Sequence, residues 1–145
     1  MLYWLEMARL AGGDPRVVID TAQAKAGYAG TKMAAADKAA MLWDRKKLDE
    51  FGCLNAEGMA KLRKGGSPTI TMGPNVGDTV ALDHVLPIAV VPELAARFYN
   101  LEVVPDDANR KKSAKIGKRE VDLAKRWNRE GLLSGAGLRA TEAAE

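Results

Sequence analysis

The sequence has very little of two residue types that build disulfides and metal centres: it contains one cysteine, Cys53, and one histidine, His84. A single cysteine excludes a disulfide within the chain, and it excludes a zinc site made of several cysteines. Cys53 lies in the apolar stretch 51–54, with no charged residue beside it to stabilise a thiolate. We therefore predict that Cys53 is a buried structural thiol and not a nucleophile.

The sequence also lacks a long apolar run. No stretch approaches the roughly 20 apolar residues that a membrane-spanning helix needs. The N-terminal residues 1–6 lack the basic start and the uninterrupted apolar core of a secretory signal. These absences predict a chain without a membrane partner and with a cytoplasmic location, and a signal encoded upstream of residue 1 is left open.

The composition is that of an ordinary folded domain, but the charge is unevenly distributed. The 145 residues are 47% hydrophobic and 28% charged, which excludes a largely disordered chain and suffices for one compact unit. The net charge is +3, whereas residues 109–131 contain nine Lys or Arg and three Asp or Glu, a local net charge of +6. Such a segment indicates either a binding surface for a polyanion or a solvated helix face, and charge alone does not separate the two.

Helix signals dominate residues 1–66. Asp14, Thr31 and Asn55 each have a short polar side chain that can accept hydrogen bonds from the first N–H groups of a helix. Apolar residues at helical spacing precede them in the chain. The predicted helices cover residues 2–10, 15–25, 32–50 and 56–62.

Candidate core residues come from the third helix and from the tryptophans. Helical spacing predicts an inner face for the third helix. The predicted inner residues are Met33, Ala36, Ala40, Trp43 and Leu48. Trp4 and Trp127 are also expected in the core, Trp127 on the inner face of the last predicted helix and not as a platform for stacking bases.

From residue 67 the pattern changes to two strands followed by a helix. Residues 67–72 are β-like and residues 73–78 have turn composition, after which a strand over 79–82 leads directly into Asp83 and His84. A helical turn is expected within residues 92–98, before the second strand.

The second strand of this half is predicted over residues 101–104 and ends at Pro105. Asp106 or Asp107 then caps a helix that extends to Ile116, and Gly117 separates it from a last helix over 118–129. The small and polar residues 135–145 are expected to form a flexible tail. The sequence therefore predicts an α+β fold with a helical portion, 1–66, packed on a second portion, 67–134, as a single compact unit.

Three groups of residues in the second portion can carry chemistry: Asp83-His84 at a strand end, Asn100 at the next strand start, and Asn109 with Lys112 on the following helix. Hydrolysis of a phosphodiester needs a base for water and a cation for the charge on the phosphate. An ordinary imidazole, with a pKa of ~6.5, suits proton abstraction near neutrality. Neighbouring residues of an extended strand point to opposite sides, so Asp83 and His84 have different tasks.

These residues resemble the HNH, or ββα-metal, endonuclease motif. The chain has Asp-His-x-x-Pro over 83–87, Asn-Leu at 100–101 and an asparagine followed by basic residues over 109–112. The order and the spacing match the family over residues 79–116, about a quarter of the chain. The resemblance implies an HNH core within residues 67–134.

The resemblance implies a role for each matching residue. His84 corresponds to the general base, and Asp83 and Asn109 correspond to the ligands of the catalytic metal. Asn100 corresponds to the asparagine that holds the loop so that the base is correctly aimed. Lys112 corresponds to a basic residue near the substrate backbone. Against this stands the ordinary interpretation, in which a lone histidine is a hydrogen-bonded structural residue.

One departure from the family concerns zinc. Many HNH proteins surround the motif with two Cys-x-x-Cys pairs, whereas here Pro105 and Ala108 occupy the positions of the second pair. No structural zinc is expected, and packing against the helical portion is expected to brace the site instead. A carboxylate and an amide are hard oxygen ligands, which favour Mg²⁺ or Mn²⁺.

The resulting expectation is a metal-dependent endonuclease that hydrolyses nucleic-acid phosphodiesters, DNA before RNA, and leaves a 5′-phosphate. Nucleic-acid contacts are expected from Arg110, Lys112, Lys115 and Lys118. The alternative is a non-catalytic module that binds nucleic acid or protein through the same basic helix. A third possibility is a nuclease toxin domain with an immunity protein as its partner; the sequence itself names no protein partner.

Overall fold

Helices and a small sheet share the chain in the computed structural model, which describes residues 1–112 and 115–145. Among these residues the fold is α+β, with seven α-helices and a two-stranded antiparallel sheet. The helices are α1 (Leu2–Leu10), α2 (Pro15–Ala26), α3 (Lys32–Glu50), α4 (Ala56–Arg63), α5 (Asp106–Lys112), α6 (Lys118–Arg129) and α7 (Gly135–Ala143), and the strands are β1 (Val80–His84) and β2 (Leu101–Pro105). Two 3₁₀ turns, Pro92–Leu94 and Phe98–Asn100, precede β2.

The first half confirms the predicted helix starts. Asp14 accepts a hydrogen bond from the Arg16 N–H at 2.9 Å. Thr31 Oγ1 accepts one from a backbone N–H of α3 at 3.1 Å, and Asn55 Oδ1 accepts one from a backbone N–H of α4 at 2.7 Å. Each cap satisfies a donor that the helix itself leaves without a partner, an effect of about 1 kcal/mol per helix.

The inner face of α3 differs from the prediction. The buried residues are Ala34, Asp37, Met41, Asp44 and Leu48, which are spaced along one side of the helix. Leu48 was predicted correctly, and the predicted Ala36 and Ala40 are partly buried against a second group of core residues. The prediction of Met33 and Trp43 as core residues was wrong.

The two largest of the predicted inner side chains are exposed. Met33 and Trp43 are 41% and 61% exposed, and Trp4, also expected in the core, is 62% exposed. Apolar spacing misplaced the face of α3 because two aspartates occupy its buried side. Trp127, in contrast, is buried as predicted and packs edge-to-face on Tyr99 with the ring centroids 5.1 Å apart.

Two groups of apolar residues form the core, and α3 contributes to both. The first joins α1–α4 to the sheet through Leu5, Ile19, Leu48, Val80 and Val103, and it includes the buried Cys53. The second lies among the loop after β1, α6 and the start of α7; its members include Val85, Leu86, Leu94, Trp127 and Leu133. The first group therefore contains residues of both the helical portion and the ββα portion.

The strands pair in a register that decides which side chains lie together. Asp83 lies opposite Glu102, and His84 lies opposite Leu101. Because side chains alternate along a strand, Asp83 and Glu102 lie on one face of the sheet and His84 on the other. The β-like stretch 67–72 forms only an isolated bridge, between Thr69 and Thr79.

Two predicted boundaries in the second half were wrong. The helix expected to reach Ile116 is described only to Lys112; residues 113 and 114 lie outside the described residues, and Lys115 and Ile116 are not helical. The tail expected to be flexible forms α7, which packs on α6. Ser134 caps α7, and the buried Thr141 hydroxyl donates to the Gly137 carbonyl at 2.8 Å. A helix of small residues lacks the apolar spacing that would reveal it in the sequence.

A search of the described helices for a membrane span was negative. In residues 1–112 and 115–145, no helix has both the length and the hydropathy that crossing a bilayer requires.

Candidate functional site

Asp83 and His84 end strand β1, as the sequence predicts, and both side chains are half-buried. The Asp83 side chain is 18% exposed and lies on the face of the sheet that α5 covers. His84 points to the opposite face.

Asn100 fixes the backbone immediately after His84. Its side chain is completely buried; Oδ1 accepts a hydrogen bond from the Leu86 N–H at 2.8 Å, and Nδ2 donates one to the Leu86 carbonyl at 2.9 Å. The Val85 N–H also donates to the Asn100 carbonyl, at 2.9 Å. These contacts are what a residue that aims the base needs to make, and they connect the start of β2 to the end of β1.

Lys112 does not project to the surface, where a simple phosphate contact would be expected. Its ammonium lies 2.8 Å from Asp83 Oδ2 and 3.0 Å from the His84 carbonyl oxygen. The Val85 carbonyl at 3.4 Å and Glu102 Oε1 at 3.8 Å complete the surroundings. The side chain is 21% exposed. The structure thus holds a cation at the carboxylate that the sequence assigns to a metal.

Asn109 shares a side of α5 with Lys112. The two residues are three positions apart, the spacing that places side chains on one helix face, and both are half-buried. The intervening Arg110 and Lys111 are exposed. Because Lys112 reaches Asp83, the face that carries Asn109 is the one directed towards the sheet. The structure therefore places the two predicted metal ligands on facing elements.

The donors on these elements fit a hard divalent cation. Carboxylate, amide and carbonyl oxygens are the ligands that Mg²⁺ and Mn²⁺ prefer. In the described part of the chain, no group of three or more His, Cys, Asp or Glu side chains is arranged to hold a metal. A Mg²⁺ or Mn²⁺ ion would be held by Asp83 and Asn109, with phosphate and water as its remaining ligands.

Glu102 is a site residue that sequence reasoning missed. It lies opposite Asp83 in the sheet, and its carboxylate also accepts a hydrogen bond from the Arg119 guanidinium at 3.2 Å. Asp83 directly followed the first predicted strand and Glu102 lay within the second, but the pairing of the two acids depends on the register, which the intervening loop does not reveal. Glu102 adds a second carboxylate to the Asp83 face.

The other predicted nucleic-acid contacts are exposed and mostly paired. Arg110 bonds to Asp106 at 2.7 Å and Lys118 to Asp122 at 2.5 Å, each one turn along its helix. Lys115 is exposed between α5 and α6. Surface ion pairs of this kind contribute about 0–1 kcal/mol, so a phosphate can replace the carboxylate partner at little cost.

Helix α3 braces the site through two buried carboxylates that the sequence did not single out. Asp37 Oδ1 accepts a hydrogen bond from the Tyr99 N–H at 3.0 Å, and its other oxygen accepts one from the Tyr28 hydroxyl at 3.0 Å. Asp44 Oδ1 accepts a longer bond from the Val103 N–H at 3.4 Å. Asp37 and Asp44 are seven positions apart, which is about two helical turns. This spacing indicates that the two side chains lie on the same face of α3 and have related roles.

Asp44 is an unusual acid because its second carboxylate oxygen is buried without a hydrogen-bond partner among the described residues. Burial is the main cause that raises the pKa of Asp44 to about 7; the hydrogen bond from the Val103 N–H opposes this shift, and the nearby Glu102 carboxylate adds to it. Part of the protein therefore carries a proton on this acid near neutrality.

Comparisons with protein-family models, with curated proteins and with solved structures found no match. The support for a function is accordingly the order of the motif residues and their contacts. Those contacts join Asn100 to the segment that follows His84, and Lys112 to Asp83.

Proposed function

We propose that this protein is a metal-dependent endonuclease of the HNH type that hydrolyses nucleic-acid phosphodiesters, with DNA as the preferred substrate. The observation that carries the proposal is the pair of hydrogen bonds between Asn100 and Leu86, at 2.8 and 2.9 Å. They fix the backbone two residues after His84, while Asp83 faces the helix that carries Asn109 and Lys112. Asn100 thus contacts the segment next to the proposed base, and Lys112 contacts the proposed metal ligand Asp83.

In this mechanism His84 takes a proton from the attacking water, and the hydrogen bonds of Asn100 to Val85 and Leu86 fix the backbone that follows it. A bound Mg²⁺ or Mn²⁺ supplies charge stabilisation for the phosphate and the leaving oxygen. Asp83 on β1 and Asn109 on α5 would hold that ion. The deprotonated water forms a new bond to phosphorus, and the bond between phosphorus and the 3′ oxygen breaks. The 3′ oxygen takes a proton from solvent and leaves as a hydroxyl, and a 5′-phosphate remains on the other product.

No cysteine cage is needed for this arrangement. The two positions that match the second cysteine pair are Pro105, at the end of β2, and Ala108, in α5. In place of zinc, α3 is bonded to the segment that leads into β2 and to β2 itself. These hydrogen bonds, which brace the site, are buried in the hydrophobic interior.

Cleavage of supercoiled plasmid in Mg²⁺ or Mn²⁺ tests the proposal directly. His84→Ala is expected to lower the cleavage rate by at least the ~10²-fold typical of a lost general base, while the circular dichroism spectrum stays unchanged. No other histidine is present to substitute for it. Full activity of a purified His84→Ala variant would refute the mechanism.

One observation favours a second candidate, a binding module without catalysis. The Lys112 ammonium lies 2.8 Å from Asp83 and neutralises the charge of its carboxylate. The ββα unit therefore needs no metal ion to balance that charge. Such a module would bind DNA with the same salt dependence as a nuclease but would leave the plasmid intact in both metals. Cleavage that disappears in His84→Ala separates the two functions.

A further inference from the structure

The surroundings of the Lys112 ammonium are those of a cation site. In the described part of the chain Nζ lies close to oxygens of four residues: Asp83 Oδ2 at 2.8 Å, the His84 carbonyl at 3.0 Å, the Val85 carbonyl at 3.4 Å and Glu102 Oε1 at 3.8 Å. Two of these oxygens belong to carboxylates. They come from a strand end and its cross-strand partner, so the sheet itself holds them together.

We propose that Lys112 is an internal competitor of the divalent cation: its ammonium neutralises Asp83 in the metal-free protein and leaves when the metal binds. The inference rests on the proposed function, because it concerns the metal site of that function. It adds a regulatory step: in the absence of metal, Lys112 neutralises the Asp83 carboxylate and keeps the protein inactive.

The competition follows from charge and space. A divalent ion bonded to Asp83 lies about 2 Å from its oxygen, and the ammonium, at 2.8 Å from the same carboxylate, cannot remain beside it without strong repulsion. A lysine side chain can move, because its charge sits at the end of a flexible four-carbon stem. Glu102 does not lose its counter-charge in that movement, since Arg119 bonds to it from α6 at 3.2 Å.

The displaced ammonium gains a partner when nucleic acid is present. A phosphate bound to the metal brings negative charge to the same face, and Lys112 can then exchange the Asp83 carboxylate for a phosphate oxygen. Metal and nucleic acid consequently favour each other's binding, and this coupling is reciprocal. Substrate thus favours metal loading, and the free protein resists it.

Binding of Mn²⁺ in the absence of nucleic acid, followed by the electron paramagnetic resonance signal of the free ion, tests the competition. Lys112→Met keeps the stem and removes the charge, so it is expected to bind Mn²⁺ about tenfold more tightly than the parent, a change of about 1.4 kcal/mol. The matched control is Lys111→Met, because Lys111 is on the same helix but is exposed and paired with Asp107 at 3.0 Å. The control should bind Mn²⁺ like the parent.

Further variants locate the effect. Adding Asp83→Asn to Lys112→Met should remove the gained affinity, which places the ion at Asp83. In a His84→Ala background, a DNA duplex should tighten Mn²⁺ binding more when Lys112 is present than when it is methionine. Lys112→Ala provides the same comparison if the methionine variant does not fold, as judged by circular dichroism.

Unchanged or weaker Mn²⁺ binding in both folded Lys112 variants would overturn the inference. This outcome differs from failure of the proposed function, because the measurement needs no cleavage. If the parent cuts plasmid but the Lys112 variants bind Mn²⁺ no better, the nuclease stands and the competition is wrong. If Mn²⁺ binding tightens but no metal supports cleavage, the competition stands and the nuclease is wrong.

Discussion

The side-chain amide of Asn100 closes a ring of two hydrogen bonds with the backbone of Leu86, at 2.8 and 2.9 Å. Both residues are completely buried. A single side chain thereby ties the start of β2 to the chain that follows His84, and it satisfies a donor and an acceptor that are shielded from water. This contact has both a structural and a functional consequence, and each can be measured.

The structural consequence is a large loss of stability in Asn100→Ala. Leaving a buried backbone N–H and a buried carbonyl without partners costs about 1–3 kcal/mol for each group, so the free energy of unfolding should fall by about 2–6 kcal/mol. Urea unfolding measures the change. Asn109→Ala is the matched control, since Asn109 is half-buried on α5, and its destabilisation should be below about 1 kcal/mol. Equal destabilisation of the two variants would contradict the importance of the Leu86 hydrogen bonds.

The parts of the fold that were predictable from the sequence are those that short-range chemistry determines. Asp14, Thr31 and Asn55 indicated the starts of α2, α3 and α4, because a cap acts within three residues of itself. The order of two strands and a helix around His84 was also predictable, because each of these elements has its own local sequence pattern. The roles of the motif residues came from a resemblance, and their chemistry stays a prediction.

What the sequence did not reveal depends on partners distant in the chain. Asp37 and Asp44 are buried because backbone N–H groups about 60 positions away need acceptors, which displaced the expected inner face of α3. Lys112 was expected at the substrate, and its contact with Asp83 follows from the way α5 returns to β1. The register that places Glu102 beside Asp83 is likewise set by packing and not by local pattern.

Asp44 should make the stability of the protein depend on pH. Burial raises its pKa to about 7, above the ordinary value of 3.8, so the folded state binds this proton more tightly than the unfolded state does. The corresponding stabilisation is complete below pH ~4 and disappears as the pH rises through about 7. Asp44→Asn removes the charge and should raise the free energy of unfolding at pH 8 by as much as about 4 kcal/mol.

Urea unfolding of Asp44→Asn and its parent at pH 5, 6, 7 and 8 checks this assignment. The difference between them should widen as the pH rises. Asp37→Asn is the contrasting variant: Asp37 accepts hydrogen bonds from Tyr28 and Tyr99 and lies 3.8 Å from Arg97, so its replacement should destabilise the protein. Identical pH profiles for the parent and Asp44→Asn would show that another group controls the dependence.

Chelation should separate the metal from the fold. EDTA is expected to abolish cleavage and added Mg²⁺ or Mn²⁺ to restore it, whereas helical circular dichroism should not change, because buried contacts brace the site. Asp83→Ala and Asn109→Ala should each require more metal for the same rate. Loss of helical signal in EDTA would instead reveal a structural ion, and full restoration in both variants would place the metal elsewhere.

The exposed cations should reveal the track of the nucleic-acid backbone through their salt dependence. Arg110, Lys115 and Lys118 are exposed, and the first and last form surface ion pairs that a phosphate can replace at little cost. Each alanine substitution should weaken DNA binding by a similar factor on every sequence and reduce the log–log salt slope by about 0.9 for each phosphate that the removed side chain had neutralised.

Lys25→Ala, at an exposed position of α2, is the control and should leave the slope unchanged. Because exposed charges contribute little to folding, the stability of all four variants should stay within about 0.5 kcal/mol of the parent. If the three variants of the basic segment bind with the parent's slope, these cations form only a solvated face and the DNA contacts another surface.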